Sequence, residues 1–234
     1  MKNSPKRLVQ CLVHALVLGM AALLPNRLRN RFLNACLGWQ LDDTAMLSRL
    51  ALVLADACVM GPHASIGKLT LVKGLSRLEM GEHAIVGRLN WISAFPIGNP
   101  GSFSHVPGRR PELCVGRHAA ITNRHLIDCT DLVWIGEFAT FAGFRSQIVT
   151  HSIDVQQNRQ HCRPVHIGAY SFVGTGSVVL GGASVPDCAV VAAGSVVVSA
   201  LEGTHSLYAG APARFVKNLT DDYKYFTRQA GAVS

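Results

Sequence analysis

Six aliphatic residues, Ile167, Val173, Val179, Val185, Val191 and Val197, recur at a strict spacing of six, and each but the last is followed four positions later by Ser or Ala. The small partners are Ser171, Ser177, Ala183, Ala189 and Ser195, and Gly168 and Gly174 directly follow the first two aliphatics. A helix with 3.6 residues per turn would scatter this pattern around its cylinder. Short strands joined by tight corners keep the aliphatics on one inner face. Each hexad therefore reads as one strand plus one corner, and three hexads as one triangular coil of an all-β solenoid, a parallel β-helix.

The repeat extends upstream. Met60-Gly-Pro-His-Ala-Ser-Ile66-Gly-Lys-Leu and Met80-Gly-Glu-His-Ala-Ile-Val86-Gly-Arg-Leu match at an offset of 20, as do the starts at Val115-Gly116 and Ile135-Gly136. One coil of 18 plus a two-residue corner bulge gives that offset, and six or seven coils fit between Leu41 and Leu201. Two segments interrupt them. Residues 95–113 hold Pro96, Pro100, Pro107 and Pro111 with Gly98, Gly101 and Gly108, which excludes regular helix or central strand and predicts a protruding loop. The other, residues 151–164, is polar, and segments excluded from a regular solenoid are where binding groups sit. The expected organisation is an N-terminal helical segment (1–37), a β-helix (38–205) with insertions at 95–113 and 151–164, and a C-terminal tail (206–234). In that tail Phe215, Val216, Leu219, Tyr223 and Phe226 recur at helical spacing and predict a capping helix.

Seven cysteines without a C-x-x-C pair point to reduced thiols in a cytosolic setting and away from structural zinc. The net charge of +8 suits nucleic acid, an anionic membrane surface or a phosphorylated cofactor. No stacking aromatics lie among the basic residues, so nucleic acid is not expected. Lys2, Lys6, Arg7, Arg27, Arg29 and Arg31 bracket an apolar run from Cys11 to Leu24, too short for a membrane span of about 20 residues. It also lacks a convincing cleavage site. The run is either a helix packed on the solenoid end or on another subunit, or an interfacial helix that makes residues 1–31 a membrane-surface contact. Asn26 is placed to cap a second helix that Gly38 stops. Together the two helices would cover the first coil.

The stretch from Ile167 to Val197, followed by Tyr208-Ala-Gly-Ala-Pro-Ala-Arg-Phe-Val-Lys217, resembles the closing coils of the hexapeptide-repeat, left-handed parallel β-helix acyltransferases. Sugar O-acetyltransferases for maltose, galactosides and colanic acid are the most similar, and the resemblance runs from Gly38 to Lys217. It implies a homotrimer, acetyl-CoA bound between coils of two subunits, and a histidine general base in a Thr-His element. Ile135-Gly-Glu-Phe-Ala-Thr-Phe141-Ala, leading to Ile148-Val-Thr150-His151, makes His151 the matching residue. An imidazole that takes the proton of an attacking hydroxyl contributes about 10² to 10⁴ in rate. The resemblance names Gly174 as the backbone donor to the oxyanion, an interaction worth roughly 3 kcal/mol. It assigns Gly174, Ala192, Ala193 and Ser199 to the pantetheine channel, and Arg214 and Lys217 to the CoA phosphates. Small residues at these corners suit tight turns equally well.

Asp154, three residues after His151, either orients the ring or caps a turn. Asn123, Arg124 and His125 lie one coil before His151 and, with Arg145, form the candidate acceptor-binding set or a plain wet surface. The Ile-Val-Thr-His-Ser form of the histidine element and the 95–113 loop depart from the family pattern on the acceptor side. The reading is a CoA-dependent O-acyltransferase acting directly on a sugar or glycan precursor in polysaccharide biosynthesis, cytoplasmic and peripheral to the inner membrane, with no metal expected. Three rivals stand beside it: N-acetylation of an amino sugar, an inactive scaffold, and a γ-carbonic-anhydrase-like site on His161 and His166. His63, His83 and His118 occupy equivalent outward positions, which suit solvent or a metal ladder.

Overall fold

In a computed structural model, residues 5–98 and 103–231 are described; Pro100 and Gly101 of the inserted loop, Lys2, and residues 232–234 lie outside them. The chain visits three sheets in turn, seven times over. The first sheet stacks residues 40–41, 57–60, 77–80, 112–115, 133–135, 165–167 and 184–185; the second stacks 46–47, 65–66, 85–86, 120–121, 140–141, 172–173 and 190–191. Residues 52–54, 71–73, 91–93, 126–128, 147–149, 178–180 and 196–197 form the third. Pairing within these stacks is parallel, with Met60 beside Met80, Val115 beside Ile135 and Ile167 beside Val185. Three parallel sheets of such short strands fit a left-handed β-helix.

The inward aliphatics make continuous columns. In the third sheet Val53, Val72, Ile92, Ile127, Ile148, Val179 and Val197 are all 0% exposed. The corner between the first and second sheets places His63, His83, His118, Phe138, Tyr170 and Cys188 in the left-handed conformation, with φ between 54 and 57°. The next corner does the same with Leu69, Leu89, Arg124 and Arg145, then with Gly176 and Gly194. For side chains other than glycine this backbone is uncommon and costs about 1 kcal/mol or more. Here it aims each N–H at the corner below: His83 N donates to Pro62 O at 2.8 Å, His118 N to Glu82 O at 2.9 Å, Phe138 N to Arg117 O at 2.9 Å and Tyr170 N to Glu137 O at 2.8 Å. The small residue that follows, Ala64, Ala84, Ala119, Ala139 or Ser171, is wholly buried inside the corner. Only a side chain of that size fits the turn.

The outward rings of this corner stack. His63, His83 and His118 lie face to face at 4.8 Å, Phe138 continues at 4.8 Å and Tyr170 at 4.6 Å. Helices α1 (Pro5–Ala21) and α2 (Asn26–Leu37) lie at the N-terminal end. In α2, Asn30 Nδ2 donates to Asp42 O and Ala45 O at 2.8 Å, and Asn34 exchanges two hydrogen bonds with the Leu41 backbone. These amides occupy strand-edge groups that the missing coil below would take. Gly38 ends α2 at φ 66°, its N–H on Asn34 O. Asn26 does not cap the helix; its Nδ2 reaches Ala45 O.

The expected C-terminal helix is only weakly formed, and most of its segment is a hairpin. Residues 206–210 pair with Val190 and Val191 on the open edge of the second sheet, and 213–218 fold back antiparallel. Phe215 and Val216 therefore lie on a strand, because an unpaired sheet edge attracts a strand more strongly than helical spacing sets a helix. Helix α3 is only Lys224–Thr227. From this helix the tail runs back over earlier coils: Tyr225 Oη donates to Ser171 O at 3.1 Å, Arg228 Nη2 donates to Phe138 O, and Gly231 N donates to His118 Nδ1 at 3.3 Å. The Arg228 guanidinium lies 3.9 Å from the Tyr225 ring centroid.

Ile121 is 0% exposed, between Val86 and Phe141 in the second sheet's inner column. Ile121→Ala should lower the unfolding free energy in urea by about 2–5 kcal/mol, the range for deleting a buried aliphatic side chain.

Candidate active site

Both insertions leave the solenoid at the same corner, between the third and first sheets. Residues 95–113 follow the strand Trp91–Ser93, and the second insertion follows the strand Gln147–Val149. That second segment is not a loop but a hairpin, His151–Asp154 against Arg159–Cys162. The strand between the two insertions, Leu126–Asp128, ends in a buried carboxylate in register with Ser93 and Val149.

Asp128 is 5% exposed. Its Oδ1 accepts from Thr130 N at 3.2 Å and Thr130 Oγ1 at 2.6 Å. Oδ2 accepts from Thr150 N at 2.8 Å, Thr150 Oγ1 at 2.6 Å, His151 N at 3.0 Å and His151 Nδ1 at 2.8 Å. Burial pushes this carboxyl up, but the bonds from His151, Thr130 and Thr150 outweigh it, so the group stays below its ordinary value and is ionised. In return the Asp128 hydrogen bond, opposed by partial desolvation, lifts His151 above the ordinary imidazole value of 6.5. With Nδ1–H directed at Asp128, neutral His151 carries its lone pair on Nε2, which no described residue engages. This is the arrangement of a general base held by an orienting carboxylate.

The first insertion walls this imidazole. Phe95 meets it edge-on at 5.3 Å and Phe103 at 6.2 Å. Arg109 ties the insertion down, donating from Nη1 to Phe95 O and Thr130 O at 2.5 and 2.8 Å and from Nη2 to Pro96 O at 3.0 Å, with its guanidinium over the Phe103 ring. Arg110 N adds a bond to Asp131 Oδ1. One face of His151 is thus dry.

Asp154 is not the partner of His151. Alternation along the strand turns it to the other face of the hairpin, and its Oδ1 caps the turn by accepting from Gln156 N and Gln157 N at 3.0 Å. Gly174 does not offer its N–H to an oxyanion either, because that N–H donates to Val191 O at 2.8 Å. A Cβ at Gly174 would stand 2.6 Å from Ala193 N, so close coil stacking already requires glycine. His125 is 2% exposed and internal: its Nδ1 accepts from Ser146 N at 3.2 Å, and its Nε2 is 2.9 Å from Thr122 Oγ1. Burial depresses its pKa to about 4, which suits a neutral structural residue and not an acceptor ligand. Asn123 Oδ1 accepts from Arg88 N at 2.9 Å, and Asn123 lines a cleft with Arg88, Arg124 and Phe144. Arg145 is exposed on the same corner.

That corner, which also carries Gly174, Ala192 and Ala193, is the one between the second and third sheets, not the His151 corner. The width of the third sheet, about five residues at 3.3 Å each or about 16 Å, separates the two within one chain. Ser199 follows the last strand of the third sheet, and Arg214 and Lys217 lie exposed on the outer strand of the terminal hairpin. His161 Nε2 accepts from Arg163 Nε at 3.0 Å, while His166 sits beside Trp134 on the outer face of the first sheet. Among the described residues no group of three or more His, Cys, Asp or Glu side chains is placed to hold a metal ion.

Sequence reasoning missed Asp128. The signal lay in the coil register: the strands Leu126–Asp128 and Gln147–Val149 stack at an offset of 21, which puts Asp128 below Val149 and its carboxylate beside Thr150-His151.

Asp128→Asn should lower the pKa of His151 in an NMR titration, while His125 stays neutral down to about pH 4 in both proteins. The sign for stability follows from the same bond. The contribution from His151 is fully present below 6.5 and is lost as pH rises through its higher folded value. That of Asp128 is present above 3.8 and is lost as pH falls through its depressed value.

No protein-family model matches the chain, and no curated protein matches it in sequence. Among solved structures it is similar to a hexapeptide-repeat-containing acetyltransferase of Vibrio cholerae O1 biovar eltor complexed with acetyl coenzyme A: TM-score 0.53, 16% identity, covering 94% of this chain and 92% of that one. It is also similar to the polysialic acid O-acetyltransferase OatWY, with TM-score 0.55, 16% identity and coverage of 77% and 87%. At this identity the likeness is one of architecture: the chain has the fold of the hexapeptide-repeat acetyltransferases.

Proposed function

We propose that the protein is an acyltransferase that moves the acetyl group of acetyl-CoA directly to a hydroxyl of a sugar or glycan precursor, with His151 as general base. The observation that carries this reading is the Asp128–His151 pair, with Nδ1 held at 2.8 Å, Nε2 outward and an aromatic wall beside it. The names of the two structural neighbours support the thioester and the sugar class. Nε2 takes the proton of the acceptor hydroxyl as its oxygen forms a bond to the thioester carbonyl carbon. The tetrahedral adduct then expels the sulfur, and the imidazolium returns the proton to it as the C–S bond breaks, leaving ester and free thiol. Asp128 stabilises the imidazolium between these steps.

A second copy completes the site. His151 and the small-residue edge of Gly174, Ala192 and Ala193 are on different corners, so one copy's His151 corner must meet another copy's small-residue corner. Such a contact between unlike surfaces closes into a ring, and the resemblance implies a trimer. Exposed apolar side chains along the second of these corners and the adjoining sheet face support this: Leu50 at 60%, Leu69 at 59%, Leu89 at 39%, Trp91 at 48% and Leu126 at 46%. In this reading Arg214 and Lys217 meet the CoA phosphates.

Release of free thiol from acetyl-CoA in the presence of a panel of sugars tests the reaction. His151→Ala should reduce turnover by about 10² to 10⁴, and turnover that survives the substitution removes His151 as the base. Leu69→Lys combined with Leu89→Lys should shift the mass seen by light scattering from trimer to monomer and abolish turnover with it.

A further inference from the structure

Helix α1 is built inside-out with respect to water. Between Val9 and Leu24 the sequence has only Gln10 and His14 as polar residues. His14 is turned inward, 8% exposed and edge-on to Trp39 at 6.1 Å, beside the buried Val17 and Ala21. The opposite face presents Val9, Leu12, Val13, Leu16 and Met20, which are 47 to 65% exposed, and Leu23 in the turn after the helix is 85% exposed. Within α1 the spacing of three and four places them on one helical stripe. A helix that is apolar all round is normally covered all round, and the solenoid covers only one side of α1.

Charge identifies the cover. Residues 1–41 contain no Asp or Glu, while Lys2, Lys6 and Arg7 precede the stripe and Arg27, Arg29 and Arg31 follow it. The first turn of α1 carries no acidic residue, and Lys6 and Arg7 stand there in sequence, opposite to what the helix dipole favours. Arg27 and Arg31 already share Asp43 at 2.8 and 2.7 Å and Arg29 is buried on Asn26, so the cations beside the stripe are those that precede it in sequence, and a second α1 laid on it would add more basic residues and no acid. A negatively charged lipid surface offers an apolar layer and compensating charge together. No helix among the described residues is long and apolar enough to cross a membrane, so α1 would lie along the surface.

We propose that α1 seats its Val9–Met20 stripe in the headgroup region of an anionic membrane and holds the solenoid against that surface. This does not depend on the acyl-transfer reading. Flotation of the full-length protein with phosphatidylcholine vesicles, with and without phosphatidylglycerol, tests it. The protein should float with the anionic vesicles, less so at high salt, and not with phosphatidylcholine alone. Leu12→Ser combined with Leu16→Ser should lower partitioning by about a hundredfold, with the solution mass and thermal melting unchanged. Failure of the unaltered protein to float with anionic vesicles overturns the proposal. A smaller mass for the double variant does so too, because it assigns the stripe to contacts between copies.

Discussion

Everything in this molecule hangs on one repeated hydrogen bond, donated by the left-handed residue of a corner to the corner of the coil below. It fixes the vertical register of the coils, and with it the alignment of the inner aliphatic columns. Slippage by one residue would turn Val72, Ile92 and Ile127 outward together, because strand side chains alternate. The small buried residue after each left-handed position is the steric counterpart of the same bond: a larger one would lift the corner away from its acceptor.

The Asp128–His151 pair is a product of that register. The residues are 23 apart in sequence, and nothing local brings them together. Stacking puts the end of one strand beneath the start of the next coil's excursion, and Thr130 and Thr150 complete the cage around the carboxylate. A buried carboxylate is tolerated only when its lone pairs are engaged. Here the engaging donors include the base it orients, so the group that would be costliest to leave unpaired also sets the tautomer of His151.

The six-residue period made the solenoid legible, because period is a property of the chain alone. The 20-residue offset made the coils countable for the same reason. What sequence order concealed was adjacency between coils. Asp154 looked close to His151 because it is three residues away, yet strand alternation points it elsewhere. His125 looked polar and available, yet its corner is filled by its own ring. Gly174 showed the opposite problem: two explanations for a small residue were open, and the 2.6 Å approach of Ala193 N together with the engaged N–H of Gly174 supports the steric one. The terminal hairpin was hidden because Phe215, Val216 and Leu219 satisfy helical spacing, while the feature that decides their conformation, an open sheet edge at Val190 and Val191, lies outside the segment.

Solenoids usually hold together by contacts between adjacent coils only, so an end can unravel one coil at a time. The returning tail changes that connectivity. Tyr225 reaches the sixth coil, Arg228 the fifth and Gly231 the fourth. Residues 225–231 thus bind to the middle of the stack, like a strap laced backward over rungs already in place. Unravelling from the C-terminal end must first release a clasp anchored three coils away, which couples the end of the solenoid to its centre.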